Sequence, residues 1–177
     1  MNKLLEQFMV LDRFEGFKKR RELCAKYAWA IPNDAALEII RKHAPLIEIG
    51  AGKGYWASLL GCDILCFDCH AKNPSVNTYV DSGESFHPVA RGGADRIEDH
   101  PERTLFLCWP PYNTSMAADC LAAYDGGILV FVGEGRGGCT GNDDFWEAIY
   151  AEWCPVGEVA IPQWDGIHDR LMIFKRI

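Results

Sequence analysis

From residue 46 onward, short apolar runs alternate with helical segments, and this pattern constrains the chain more than any other feature. Runs at 46–49, 63–68, 104–108 and 127–132 have strand length and are rich in Ile, Leu, Val and Phe. Helical spacing fills 56–60, 116–124 and 143–153. Strands separated by helices run parallel through right-handed crossovers, and the helices cover both faces of the sheet. Residues 86–89 read as a weak strand, demoted by Pro88, and 94–100 as a short helix. The polar stretch with Pro74, Ser75, Asn77, Ser82 and Gly83 reads as loop. Two last β runs, 156–161 and 171–174, have no helix between them and must pair as an antiparallel hairpin. The expected fold is α/β: a mostly parallel, doubly wound sheet of about seven strands, a C-terminal antiparallel hairpin, and helices on both faces.

Ahead of this pattern, residues 3–28 place apolar side chains such as Leu4, Phe8, Leu11, Leu23 and Tyr27 at helical spacing, which gives one or two helices. Pro32 breaks them, and Asn33 or Asp34 caps a helix over 35–43 that stops before Pro45. The chain therefore divides into an N-terminal helical extension or lid, residues 1–32, and a main α/β domain, residues 33–177.

Composition narrows the partners. The 177 residues are 49% hydrophobic with a net charge of −7, which is globular and acidic, so general attraction to phosphate backbones is absent and nucleic acid is disfavoured as a partner. The one basic run, Lys18 to Arg21, reads as the solvated face of a helix. No apolar run has the length to span a bilayer and the N-terminus lacks the pattern of a secretory signal, so a cytoplasmic protein without a membrane partner is expected. Several of the eight cysteines, Cys66 and Cys108 among them, lie inside apolar runs and read as buried reduced thiols. The CxxCH segment from Cys66 to His70 continues a strand, so neither haem nor another metal is expected there.

In such sheets ligands bind beyond the carboxyl ends of the strands. The first strand ends in Glu48-Ile49-Gly50-Ala51-Gly52-Lys53-Gly54, where glycines permit a tight turn and close approach of a ligand to the backbone. Asp68 ends the second strand, 18 positions after Gly50, where a carboxylate can accept both hydroxyls of a ribose. A dinucleotide fingerprint would place its third glycine at position 55, which is Tyr55. The ExGxGxG pattern, Asp68 and the terminal hairpin together resemble the class I S-adenosylmethionine-dependent methyltransferases over residues 33–177. The resemblance implies a Rossmann-like methyltransferase domain with S-adenosylmethionine as cofactor. It points to Glu48, Gly50, Ala51, Gly52, Gly54 and Asp68 as cofactor contacts. Tyr27 and Trp29, in the segment before the glycine turn, are placed over the methionyl end of the cofactor, and Trp109 beside its sulfonium.

Trp109-Pro110-Pro111-Tyr112 resembles the (Asp/Asn/Ser)-Pro-Pro-aromatic motif of methyltransferases acting on planar amino groups. The first position departs from that motif, because an indole donates through its N–H and accepts nothing. Pro110, Pro111, Tyr112 and Trp164 are the candidate substrate contacts, and Tyr112 the aromatic that stacks on the acceptor. The loop between the last two strands returns to the same edge, which makes His168 a candidate general base. Glu134, in a loop with five glycines between positions 133 and 141, is a second candidate for holding or deprotonating the acceptor. The expected reaction is in-line methyl transfer to a small-molecule or protein acceptor. The alternatives are a non-catalytic S-adenosylmethionine- or nucleotide-binding module or partner subunit, and, less favoured, a nucleic-acid amino-group methyltransferase.

Overall fold

A computed structural model describes residues 1–71 and 83–177. Pro74, Ser75, Asn77 and Ser82, read above as loop, lie outside the described residues. Two helices open the chain, α1 (Lys3–Met9) and α2 (Arg13–Lys26), followed by α3 (Asp34–Arg41). Each begins at a side-chain cap: Asn2, Asp12 and Asn33 accept from the main-chain N–H groups of Leu5, Glu15 and Ala36. Then come β1 (Leu46–Ile49), α4 (Tyr55–Leu60), β2 (Ile64–Asp68), β3 (Ala90–Arg91), β4 (Thr104–Cys108) and α5 (Met116–Ala122). The chain ends with β5 (Ile128–Gly133), α6 (Asp143–Glu152), β6 (Trp153–Ala160) and β7 (Arg170–Arg176).

The strands form one seven-stranded sheet in the order β3-β2-β1-β4-β5-β7-β6. β1 to β5 are parallel, and β7 runs antiparallel to both β5 and β6, as the strand pattern requires. Side chains alternate across it. Leu105, Leu107, Leu129 and Phe131 pack against α5 and α6 on one face. Phe106, Val130, Val132 and Ile173 pack with α3 and α4 on the other. A third cluster fastens the N-terminus: Leu4, Leu23, Cys24, Tyr27 and Ile31 lie against Tyr55, Trp164 and Ile167. No helix among the described residues is long and apolar enough to cross a membrane.

Two elements differ from expectation. The strand expected at 86–89 is not formed; β3 is only Ala90–Arg91. Pro88 has no N–H to give a ladder, and the Phe86 ring turns away to pack on Tyr27 and Tyr55, with centroids 5.6 and 5.0 Å apart. The helix expected over 94–100 shrinks to one 3-10 turn, Ala94–Arg96. There the Asp95 carboxylate accepts from the Gly93 N–H, a local bond that competes with helix propagation.

Candidate functional site

The chain order reverses between β1 and β4, so their carboxyl ends frame the cleft. On the β1 side the wall is main chain. The N–H groups of Gly50 and Ala51 both donate to the Phe67 carbonyl at the end of β2, which folds the turn back over the sheet. Gly52 has φ +56°, a left-handed conformation that a side chain would strain. Its N–H donates to Asp68 Oδ2 at 3.0 Å, while Asp68 Oδ1 accepts from the His70 N–H at 2.8 Å. Each carboxylate oxygen thus keeps acceptor capacity for a further donor. Gly54 is closely packed: a Cβ there would sit 2.8 Å from the His87 Cβ.

These groups border a cavity of about 380 Å³, walled by Glu48, Gly50, Ala51, Gly52 and Asp68 on this side. Glu48 is buried, and burial pushes its carboxyl up to about 8 although the Cys66 thiol donates to it at 3.5 Å. Cys66 is buried while Cys69 is exposed, so the CxxCH segment divides at the end of β2. All eight cysteines are free.

On the β4 side the wall is side chains. Trp109, Pro110 and Pro111 line the cavity, joined by Tyr27 and Trp29 from the N-terminal segment. Trp109 has φ +56°, unusual for a residue with a side chain. Three contacts hold it there. Its N–H donates to the Val132 carbonyl at 2.7 Å. Its indole Nε1 donates to both oxygens of Asp169, each at 2.9 Å. Its ring stacks on Trp29 with centroids 4.8 Å apart and planes 17° from parallel. The Pro110 carbonyl accepts from the Gly141 N–H at 2.9 Å.

The other sequence candidates fall elsewhere. Tyr112 is 58% exposed and stands off the cavity wall. Trp164 is buried behind the N-terminal segment, donating to the Trp29 carbonyl at 3.0 Å and meeting Phe8 edge-on at 5.1 Å. Glu134 is buried and tethers two loops: it accepts from the N–H of Cys139 at 2.7 Å and of His168 at 2.8 Å. Burial alone would raise its carboxyl, but those main-chain donors bring it below the usual range. The glycine-rich loop is closed by a reciprocal pair of 2.9 Å bonds between Thr140 Oγ1 and the Glu134 main chain. His168 lies beside Glu134, Nδ1 to carboxylate 3.5 Å, with its side chain largely exposed and off the cavity wall.

Sequence reasoning passed over Asp169. It is 1% exposed, and burial pushes its carboxyl up to about 7 against the opposing pull of the Trp109 N–H. Its one signal was adjacency to His168 in the loop already chosen.

A glycine turn after β1, an acid at the end of β2 and the 3-2-1-4-5-7-6 strand order together make this the class I S-adenosylmethionine-dependent methyltransferase fold. No family model matches the sequence, and no curated protein matches it. Among solved structures, it is similar to the N-methyltransferase NodS from Bradyrhizobium japonicum WM9 in complex with S-adenosyl-L-homocysteine. The two are 10% identical at TM-score 0.50, over 99% of this chain and 97% of that one. A second NodS structure matches at 11% identity and TM-score 0.50, over 94% and 99%. An rRNA methylase from Streptococcus thermophilus gives TM-score 0.49 at 11% identity, over 81% and 95%. At such identities the likeness is one of fold.

Proposed function

We propose that the protein is a cytoplasmic S-adenosylmethionine-dependent methyltransferase acting on a small-molecule or protein acceptor. The observation that carries this reading is Asp68, a buried carboxylate at the end of β2 that braces the Gly52 turn and faces the 380 Å³ cavity with acceptor capacity to spare. S-adenosylmethionine, when bound, supplies a methyl group already activated on a sulfonium. Asp68 would take the ribose hydroxyls, and the turn from Gly50 to Gly54 would let the nucleoside lie against main chain. Glu48 presents a carboxyl to the same cavity. Trp29 and Trp109 offer aromatic faces to a cation and exclude water. Residues 1–32 act in this reading as a lid, contributing Tyr27 and Trp29 to the wall. The protein's main contribution is alignment of acceptor and donor, a class of effect worth up to about 7–11 kcal/mol.

His168 is the proposed base for an acceptor that must lose a proton, since its imidazole is open to solvent. Glu134 is better explained as the brace that positions His168. Titration calorimetry with S-adenosylmethionine and with NAD tests the cofactor, and mass-spectrometric detection of S-adenosylhomocysteine over an acceptor panel tests transfer. Micromolar binding of S-adenosylmethionine without NAD binding is expected. NAD binding alone overturns the reading.

A further inference from the structure

The outer face of α2 serves neither the core nor the cofactor cavity. Of the ten large apolar side chains exposed among the described residues, five, Met1, Met9, Val10, Phe14 and Phe17, fall within the first 17 positions, so exposed apolar surface is concentrated here rather than scattered. α2 also holds six Arg and Lys against two Glu, whereas the remainder of the chain holds 12 against 23. The two features share one stripe. Phe14, Phe17, Lys18 and Arg21 follow helical spacing on the exposed face, and Lys18 Nζ lies 4.2 Å from the centre of the Phe14 ring. Lys18, Lys19, Arg21 and Lys26 form no ion pair among the described residues.

Beside this stripe a second cavity, of about 230 Å³, opens between α1, α2 and the β6–β7 connection. It shares no lining residue with the cofactor cavity. Phe8, Leu11, Phe17 and Trp164 make its walls largely apolar. Its two carboxylates are occupied, Asp12 by the Glu15 N–H that it caps and Asp165 by Arg13 at 3.0 Å. Gly16 lies in the same wall, inside α2, and a Cβ there would meet nothing within 4 Å. Neither a positive φ nor crowding calls for glycine at this position, although glycine weakens a helix relative to alanine. Bare main chain on an open cavity permits close approach by a second molecule. The cavity is smaller than the roughly 300 Å³ at which small-molecule pockets begin, which suits a single side chain.

We propose that this face docks a short acidic segment of a partner protein. One large apolar side chain of that segment sits in the cavity against Gly16 and Phe17, and its carboxylates lie on Lys18 and Arg21. An apolar anchor in a pocket with charges at the rim is the usual division of labour in such contacts. The inference goes beyond methyl transfer and holds whatever the cofactor cavity does. Charge decides against a nucleic acid: α2 is only about 21 Å long, and a phosphate backbone running past it meets a strongly acidic chain. The shared stripe decides against a bilayer, which takes helices whose rings and cations lie on opposite faces.

The test selects random 12-residue peptides displayed on phage against the full chain, then measures the enriched peptides by fluorescence anisotropy. Enriched peptides should carry at least three more Asp and Glu than Lys and Arg, together with a Phe, Trp, Leu, Ile or Met. Lys18→Glu with Arg21→Glu should weaken them tenfold or more. Gly16→Leu, which fills the cavity from a helix-favouring residue, should also weaken them tenfold or more while melting no lower than wild type. The proposal is overturned if selection enriches no acidic peptides, or if either variant binds them as tightly as wild type. It is also overturned if 20-residue oligouridylate or phosphatidylglycerol vesicles bind wild type more tightly than every selected peptide and lose that binding in the double variant. Self-association of wild type, seen by sedimentation and abolished by the double variant, would assign the face to a second copy of the chain and overturn it likewise.

Discussion

On the β1–β2 side of the cleft the wall is main chain, turned by glycines and braced by one carboxylate at the end of the neighbouring strand. On the β4–β7 side it is a stack of side chains, Trp29 on Trp109 on Asp169, drawn from three distant parts of the chain. The first wall depends on what is missing from its side chains. The second depends on what each side chain touches. A main-chain wall tolerates one ligand shape and breaks when a Cβ is added. A side-chain wall breaks when a partner is removed, and its loss registers in stability as much as in binding.

Deleting residues 1–31 should have the largest effect, because it strips both the aromatic wall and the third apolar cluster. Each buried apolar side chain is worth about 1.5–3 kcal/mol, and a chain of this size loses roughly 2–4 °C per kcal/mol. A fall in melting temperature of more than about 10 °C is expected, together with loss of S-adenosylmethionine binding by calorimetry. A truncated chain that melts and binds normally would show that the β4-side wall stands without the N-terminal segment.

Gly52→Val attacks the other wall. It puts a branched side chain at φ +56° on the cavity face, so S-adenosylmethionine affinity should drop at least about a hundredfold, near 2.7 kcal/mol. The melting temperature should fall by only a few degrees. Asp169→Ala should show the reverse pattern: a loss of about 1–3 kcal/mol in urea unfolding from the orphaned Trp109 N–H, with cofactor affinity changed less than threefold. Equal effects of these two substitutions on binding would dissolve the distinction between the walls.

Titration sharpens it further. Glu48 rises from 4.5 to about 8 and Asp169 from 3.8 to about 7, so between these limits the folded state holds protons the unfolded chain has released. Their contribution to stability is present at low pH and is lost as pH rises through 7 to 8. Glu134 works oppositely: its lowered carboxyl gives stability that fades only in acid, below the usual carboxylate range. Melting temperature should therefore peak on the mildly acidic side, and Glu48→Gln with Asp169→Asn should flatten the decline toward pH 8. An unchanged slope in the double variant would locate the decline elsewhere. The smallest structural effect belongs to His168→Ala, within about 0.5 kcal/mol, because the main-chain N–H bond to Glu134 survives and the imidazole, largely exposed, loses only a 3.5 Å contact with the same carboxylate. Once an acceptor is in hand, a rate falling tenfold or more in that variant, with the acceptor's KM unchanged, is the mark of a base.

The sheet was legible because strand length, helical spacing and turn residues all repeat the same message locally, from Leu46 through the hairpin. The glycine turn and Asp68 were legible for a related reason: a ligand lying on main chain demands small residues at fixed intervals, and fixed intervals can be counted. Residues 86–89 misled because β character at Val89 was outweighed by a long-range preference of Phe86 for Tyr27 and Tyr55. The orientation of Trp164 was not legible: its loop reaches the carboxyl-end face, and its indole turns toward Phe8 and the Trp29 carbonyl.

By itself, then, the sequence determined the order of strands and helices, the antiparallel hairpin, the placement of the cleft at the carboxyl ends, and the glycine and acid that border it. These are consequences of period, capping and conformational freedom, which act over a few residues. Only the tertiary structure decided that Asp169 holds Trp109, that Glu134 braces two loops, and that the Arg20 guanidinium lies over the Trp29 ring. An aspartate, a glutamate and an arginine look alike at any exposed or buried position in the chain. Burial and partner, which set what each of them does, depend on how distant segments pack, as Trp109 and Asp169 do from 60 positions apart and Glu134 and His168 from 34.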